Sequence, residues 1–358
     1  MDPWVRDTPA PQASRKSLGP KRVTVTSSRR TRFLPALAGL AALPLVLGAC
    51  AGAPEAEDKG PAASGYPVEA SSCGFTSTFT AAPERAVTMN QGATEVMLAL
   101  DLSDRMAGTA YLDDAVPEKW AQDYGTVKVL SDEYPDNETL LAAKPDFVYA
   151  SYASAFGPEA GGAQDELTKL GIGSFLSLFG CGENKPSADV SFASVWDEIE
   201  IVADVFGVPE RADALEKEQQ GELDRLAAAK PGAGLDVFWF DSGDKTAFAG
   251  AGEGGPQLIL DAVGATNIFA DLDGGWADVS WERVVEADPD VIVLADASWS
   301  TAADKIKQLE KDPALKGLRA VKAKKYVVIP FSESTPGVRL ADGAVSVGEQ
   351  LTDLAQQG

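Results

Sequence analysis

The sequence predicts an α/β protein of two lobes, each built on a mainly parallel sheet and joined by a single long rigid helix. Three observations carry this. Short apolar runs alternate with helical patterns, a Glu-to-Pro-Asp segment occurs twice, and a proline-led helix lies between the two copies. Ala86-Val87-Thr88-Met89 reads as a strand that turns through Asn90-Gln91-Gly92-Ala93-Thr94 into the helix of residues 95–100. Residues 146–150, 237–240, 291–294 and 326–329 are further apolar runs. Continuous apolar strands separated by helices are the pattern of parallel strands covered on both faces.

The internal repeat supports two similar lobes. Asn137-Glu138-Thr139-Leu140-Leu141 leads through Lys144-Pro145-Asp146 into a strand, and Trp281-Glu282-Arg283-Val284-Val285 leads through Asp288-Pro289-Asp290 into another. Between them, Phe192, Val195, Trp196, Ile199, Val202, Ala203 and Phe206 recur at the spacing of an amphipathic helix, which stops at Gly207. Pro209 then opens a second helix at a position where its missing N–H costs nothing. That helix runs to residue 229, before Lys230-Pro231-Gly232. At 1.5 Å per residue it spans about 31 Å, enough to bridge two lobes as a stiff rod or to pack along one.

The N-terminus reads as an export signal. Arg29-Arg30-Thr31-Arg32 precedes an uncharged apolar run that contains Pro35 and Pro44 and ends Leu47-Gly48-Ala49-Cys50. A spanning helix needs roughly 20 apolar residues free of such breakers, so the run fits a signal-peptide core. The small residues before Cys50 resemble the lipobox of bacterial lipoproteins, which implies an acylated Cys50 and attachment to the outer face of the cell membrane. An ordinary signal peptide with a chance cysteine is the alternative. Ser28-Arg29-Arg30 fits twin-arginine export except that Arg32 replaces an apolar residue, so the route stays open. The expected organisation is leader 1–49, flexible tether 50–72, first lobe 73–208, inter-lobe helix 209–230 and second lobe 231–358. The tether is rich in Ala, Gly, Pro and acid and too poor in apolar residues to pack.

Composition narrows the function. The leader holds eight basic and two acidic side chains, so the chain after it carries a formal charge of −29 against −23 for the whole. Such a surface argues against a nucleic-acid partner, whose phosphates require Lys and Arg in quantity. It also argues against docking on anionic lipid through a basic patch. The sequence contains no histidine, which removes Ser-His-Asp and Cys-His nucleophiles and the commonest metal ligand. Phosphate-binding and dinucleotide fingerprints are missing too. Paired carboxylates alone are inevitable in so acidic a chain, so the sequence points away from an enzyme and from an intrinsic metal or cofactor. With Cys50 used for lipid, Cys73 and Cys181 form an even pair in an oxidising compartment, and a disulfide is expected; two free buried thiols are the alternative.

Taken together, the Pro-Glu-Arg-Ala-Val-Thr-Met-Asn opening at residues 83–90, the 94–102 segment, the paired Glu-to-Pro-Asp motifs and the proline-led helix resemble ABC-transporter substrate-binding proteins. The resemblance is to the ferric-siderophore and cobalamin type, class III among periplasmic binding proteins, and it covers roughly residues 73–351. It implies two Rossmann-like lobes joined by one helix, with the ligand between them. It also implies a permease and its ATPase as partners of a monomeric, lipid-anchored binding protein. Relatives that carry bare zinc or manganese resemble one another in using histidine–carboxylate clusters, which this chain lacks. A ferric siderophore is therefore the first expectation for the cargo and a corrinoid the next.

In open α/β sheets ligands sit beyond the carboxyl ends of the strands. That places Asn90, Gln91 and Thr94 at a helix N-terminus facing the cleft, with Tyr111, Ser151 and Tyr152 from the same lobe. The second lobe would offer Asp241, Ser242, Lys245, Trp276, Trp299, Phe331, Ser332 and Arg339. Flat aromatic faces with a polar handle suit a large conjugated or catecholate ligand, although each aromatic could equally fill core. The glycine-rich run 250–255 lacks fingerprint spacing and reads as a flexible or close-packed loop. Glu138 and Glu282, each at the start of a helix in its own repeat, resemble the pair through which the family meets permease arginines. Another cofactor, such as a deazaflavin precursor, or a transporter-independent sensor or adhesion role are the alternatives.

Overall fold

The computed structural model describes residues 65–182 and 187–357. The leader, Cys50 and most of the tether lie outside the described residues. No helix among the described residues is long and apolar enough to cross a membrane.

The described chain starts with an antiparallel hairpin, β1 (Val68–Ser72) and β2 (Phe75–Phe79). Residues 68–72 were expected in the tether. Their Ser/Thr-rich alternation hides the strand signal, yet Ala70 and Ser72 turn inward with Ser77 and Phe79. The hairpin covers an edge of the first sheet. The Ser77 hydroxyl donates to the Ser174 carbonyl at 2.7 Å and accepts from the Ser174 amide at 3.0 Å, and the Phe79 ring meets Phe147 edge-on at 5.4 Å. Such cover removes an open pairing edge. Cys73, at the hairpin turn, is bonded to Cys181 with a Cα–Cα distance of 5.2 Å, well within the disulfide range.

The first sheet comprises β3 (Ala86–Met89), β4 (Met106–Ala110), β5 (Val129–Ser131), β6 (Phe147–Ala150) and β7 (Gly173–Leu176). Its order is β5-β4-β3-β6-β7 and every pair is parallel. All four residues of β3 and of β6 are buried, as strands covered on both faces must be.

The second sheet holds β8 (Asp236–Ser242), β9 (Ala247–Gly250), β10 (Thr266–Asn267), β11 (Trp276–Val279), β12 (Val291–Asp296) and β13 (Tyr326–Pro330). Its order is β11-β9-β8-β12-β13, with β10 beside the start of β8. Strands β8, β10, β12 and β13 run parallel, while β9 and β11 are antiparallel additions. That antiparallel flank is not among the strands expected from sequence: the alanines and glycine of β9 carry no β signal, and β11 is only four residues long.

The repeated Pro-Asp has a structural reason. The Asp146 carboxylate accepts from the amides of Glu84 and Arg85 at 2.8 and 2.9 Å, just before β3. Asp290 accepts from the Asp236 amide at 3.1 Å, at the start of β8. In both copies the aspartate ties its own strand to the central strand beside it. The preceding Lys144 and Asp288 take left-handed backbone angles, φ 51° and 40°, where the helix ends.

Helix Phe192–Phe206 opens with Ser191 and Ser194 bonded reciprocally, a capping box. Gly207 ends it at φ 69°. The long helix Pro209–Ala229 then runs between the two sheets in sequence and touches both lobes. Near its start Arg211 donates to the Leu100 carbonyl at 2.7 Å. Gln219, buried at mid-helix, accepts from Trp196 Nε1 at 2.8 Å and donates to the Val338 carbonyl at 2.8 Å. A side chain bonded on both sides fixes the helix against rotation.

Candidate functional site

The carboxyl ends of both sheets converge on a cavity of about 520 Å³, within the size range of small-molecule sites. One wall comes from the first lobe through Gln91, Gly92, Asp113, Ser151, Tyr152, Ser177 and Phe179. The other comes from the second lobe through Asp241, Phe248, Glu253, Gly254, Trp276, Trp299, Phe331 and Ser332.

In the first wall, polar side chains hold the loops as well as line the space. Gln91 Nε2 donates to Glu95 at 2.6 Å, and its Oε1 accepts from the Asp113 amide at 3.1 Å. The glutamine thereby fixes the loop that carries Asp113 to the first helix, Gln91–Ala99. Ser151 accepts from the Ala93 amide at 3.0 Å. Ser177 is set by Glu198, a buried carboxylate on the otherwise apolar face of helix Phe192–Phe206. Glu198 accepts from the Ser177 hydroxyl and the Leu178 amide, both at 2.8 Å, and from the Tyr149 hydroxyl at 2.5 Å. Burial raises the Glu198 carboxyl despite these bonds.

The second wall is aromatic. Trp299 meets Phe331 edge-on at 5.4 Å. Trp299 is 56% exposed and Tyr152 41% exposed, so neither ring is core filling. Asp241 is only 2% exposed, and its Oδ1 has no hydrogen-bond partner among the described residues; nor does Trp276 Nε1. Burial raises the Asp241 carboxyl, and the nearby Lys305 charge opposes that rise. Lys305 is itself buried and pushed down to about 8 by desolvation. Its ammonium donates to the carbonyls of Ala295 and Ser300. The glycine run resolves as close packing: a Cβ on Gly252 or Gly255 would collide with the carbonyl of Ala270 or Ser334.

Beside the cavity, Arg339 joins the lobes. Its guanidinium lies 3.3 Å from Glu95, 3.4 Å from Asp114 and 2.6 Å from Glu333. It donates to the Ser332 hydroxyl at 2.5 Å, and Ser332 donates to Asp114 at 2.8 Å. Burial pushes the Glu95 carboxyl up to about 7 against the pull of Arg339. Burial, then the neighbouring Asp114, push Asp113 up to about 6.

Of the cleft residues expected from sequence, Gln91, Ser151, Tyr152, Asp241, Trp276, Trp299, Phe331 and Ser332 reach the cavity wall. Six stand elsewhere. Asn90 is buried and accepts from the Tyr134 hydroxyl. Thr94 sits in a buried hydroxyl cluster with Thr88 and Thr109. Tyr111 packs edge-on against Tyr134 at 4.6 Å. Ser242 ends β8, Lys245 is exposed on the β8–β9 turn, and Arg339 is locked in its carboxylate cluster. Topology finds the right strand ends but not which neighbour faces inward. Asp113, Ser177, Phe179, Phe248 and Glu253 were missed, because four lie in loops whose course depends on tertiary contacts and Phe248 on the unforeseen β9. Glu138 and Glu282 are both exposed in the first turns of their helices, Asn137–Ala142 and Trp281–Ala287. Among the described residues, no cluster of three or more His, Cys, Asp or Glu could hold a metal ion.

The periplasmic binding protein family model matches residues 87–333, and the chain belongs to that family. It is a substrate-binding protein and not an enzyme. It is 26% identical to an ABC transporter substrate-binding lipoprotein, YvrC, of Bacillus subtilis, over 75% of this chain and 80% of that one. It is 28% identical to the vitamin B12-binding protein of Yersinia pseudotuberculosis, over 60% of this chain and 70% of that one. A periplasmic binding protein from Veillonella parvula superposes with a TM-score of 0.69 at 29% identity, covering 80% of this chain and 97% of that one. The family and the two-lobe α/β fold are those expected from the sequence.

Proposed function

We propose that this chain is an extracytoplasmic, lipid-anchored solute-binding protein that delivers an organic metal chelate or a corrinoid to an ABC permease and its ATPase. One observation carries the reading: the cavity at the carboxyl ends of both sheets, with Tyr152, Trp276, Trp299 and Phe331 on its walls. Its aromatic area suits a large conjugated or macrocyclic ligand. The Yersinia relative's name supports the corrinoid and the Bacillus relative's name supports the anchor and importer. In this reading Cys50 carries the lipid, residues 51–67 are the tether, and the monomer presents Glu138 and Glu282 to the permease. Deleting the gene should abolish accumulation of a labelled corrinoid or ferric chelate, the native gene should restore it, and Cys50→Ala should shed the protein into the medium. Undiminished accumulation of every such compound contradicts the reading and favours a transporter-independent sensor.

A further inference from the structure

The charge of the cavity defines its cargo more narrowly. Three acidic side chains stand on its walls, Asp113, Asp241 and Glu253, and no Lys or Arg among the described residues does. Two buried cations are engaged within the protein. Lys305 is tied to two backbone carbonyls, and Arg339 is shared among Glu95, Asp114 and Glu333. Lys245 is exposed on the turn between β8 and β9.

Two buried polar atoms of wall residues also lack partners. Asp241 Oδ1 is a buried acceptor and Trp276 Nε1 a buried donor, and neither finds a hydrogen bond within the described protein. Buried polar atoms are normally paired, so each such exception calls for an explanation. A ligand that brings both an N–H and a carbonyl oxygen would satisfy the two, and carboxamides, on a corrin rim or in the backbone of a hydroxamate chelator, are groups of that class. A polyanion would instead meet three carboxylates across apolar walls, with Lys305 behind Asp241 offsetting only part of that charge, and like charges so placed are costly.

We propose that the cavity selects neutral or cationic chelates carrying N–H donors for Asp241, and rejects polyanionic ones such as ferric tris-catecholates. This rests on the solute-binding reading above and narrows it. It also moves the expected cargo away from the catecholate class that the aromatic residues alone suggested.

The test is equilibrium titration of the protein, read by tryptophan fluorescence, with three probes. These are cyanocobalamin, a ferric trihydroxamate bearing a free ammonium, and a trianionic ferric tris-catecholate. At least one of the first two should bind about a hundredfold or more tighter than the third, the scale of a several-kcal/mol repulsion. Asp241→Asn should weaken the preferred probe about tenfold, the scale of one hydrogen bond to a charged acceptor. Asp241→Asn/Glu253→Gln should narrow the gap to the tris-catecholate. Circular dichroism melts of the variants separate these effects from unfolding, and the comparison of probes on the unaltered protein needs no variant. Equal or tighter binding of the tris-catecholate overturns the charge selection while leaving the solute-binding reading intact. Selective binding that Asp241→Asn leaves unchanged overturns the anchor. Binding of none of the three overturns the chelate-or-corrinoid reading, and the inference with it.

Discussion

The guanidinium of Arg339 lies 3.3 Å from the carboxylate of Glu95, 244 positions earlier in the chain, and both side chains are almost wholly buried. One comes from the segment after the last strand and the other from the first helix of the first lobe. Asp114 and Glu333 complete the cluster, so one buried cation faces three carboxylates. With Gln219 on the long helix, this gives the lobes polar ties beside the cavity and along the connecting helix.

Removing the cation should cost far more than removing one of the anions. Arg339→Met leaves Glu95, Asp114 and Glu333 without their counter-charge, and breaking a buried pair in this way costs about 3–5 kcal/mol. Glu95→Gln should cost much less, and adding it to Arg339→Met should recover part of the loss, because the residues share one network. Guanidinium unfolding of the three variants checks this. Additive losses would show that the contacts do not form one unit.

Stability should fall as pH rises through the weakly acidic range. Burial raises Glu95 from 4.5 to about 7 and Asp113 from 3.8 to about 6. Between each unfolded and folded value the native state binds more protons than the unfolded state, so unfolding free energy decreases with pH there. Groups with lowered values, such as Asp288 beside Arg319, act in the opposite sense, and their effect lies below the ordinary aspartate range. Melting temperatures at pH 5, 6 and 7 should therefore decline, and Glu95→Gln should flatten the decline. A Glu95→Gln protein with an unchanged slope would remove Glu95 from this role.

The paired glutamates should act on transport and not on binding. Glu138 and Glu282 are exposed in the first turns of equivalent helices, one in each repeat. The Glu282 carboxyl is held below its usual range by its own amide N–H and the Ser280 hydroxyl, so it stays charged. Charge-assisted contacts to permease arginines would set orientation and encounter rate. Glu138→Ala/Glu282→Ala should abolish uptake while ligand affinity and melting temperature stay near those of the unaltered protein. Normal uptake would leave both residues with only a helix-dipole role, worth about 0.3–1 kcal/mol each.

The legible parts of the sequence were those with strong local signals. Pro209 and Lys230-Pro231 bracket the long helix at the observed bounds, Pro209–Ala229, and the apolar runs mark β3, β6, β8, β12 and β13. The repeated Pro-Asp pointed to two lobes, although its use as a strand tie shows only in three dimensions. The hairpin of Val68–Ser72 and Phe75–Phe79 was illegible because serine and threonine replace the apolar alternation. Strand β9 was hidden by its alanines and glycine, which also concealed Phe248, and β11 by its four-residue length. At the cavity, some of the residues expected at the strand ends line the wall and others turn away from it. Asn90, Thr94 and Arg339 carry the chemistry of ligand residues but spend it on neighbours inside the protein.

The proposal that the cavity beneath Trp299 and Tyr152 holds an organic chelate is tested most directly by native mass spectrometry of the protein isolated from its own host. The expected spectrum shows one bound organic molecule per chain, containing cobalt or iron and released on denaturation. A chain that arrives empty, and stays empty after incubation with cyanocobalamin and with ferric trihydroxamates, would contradict it.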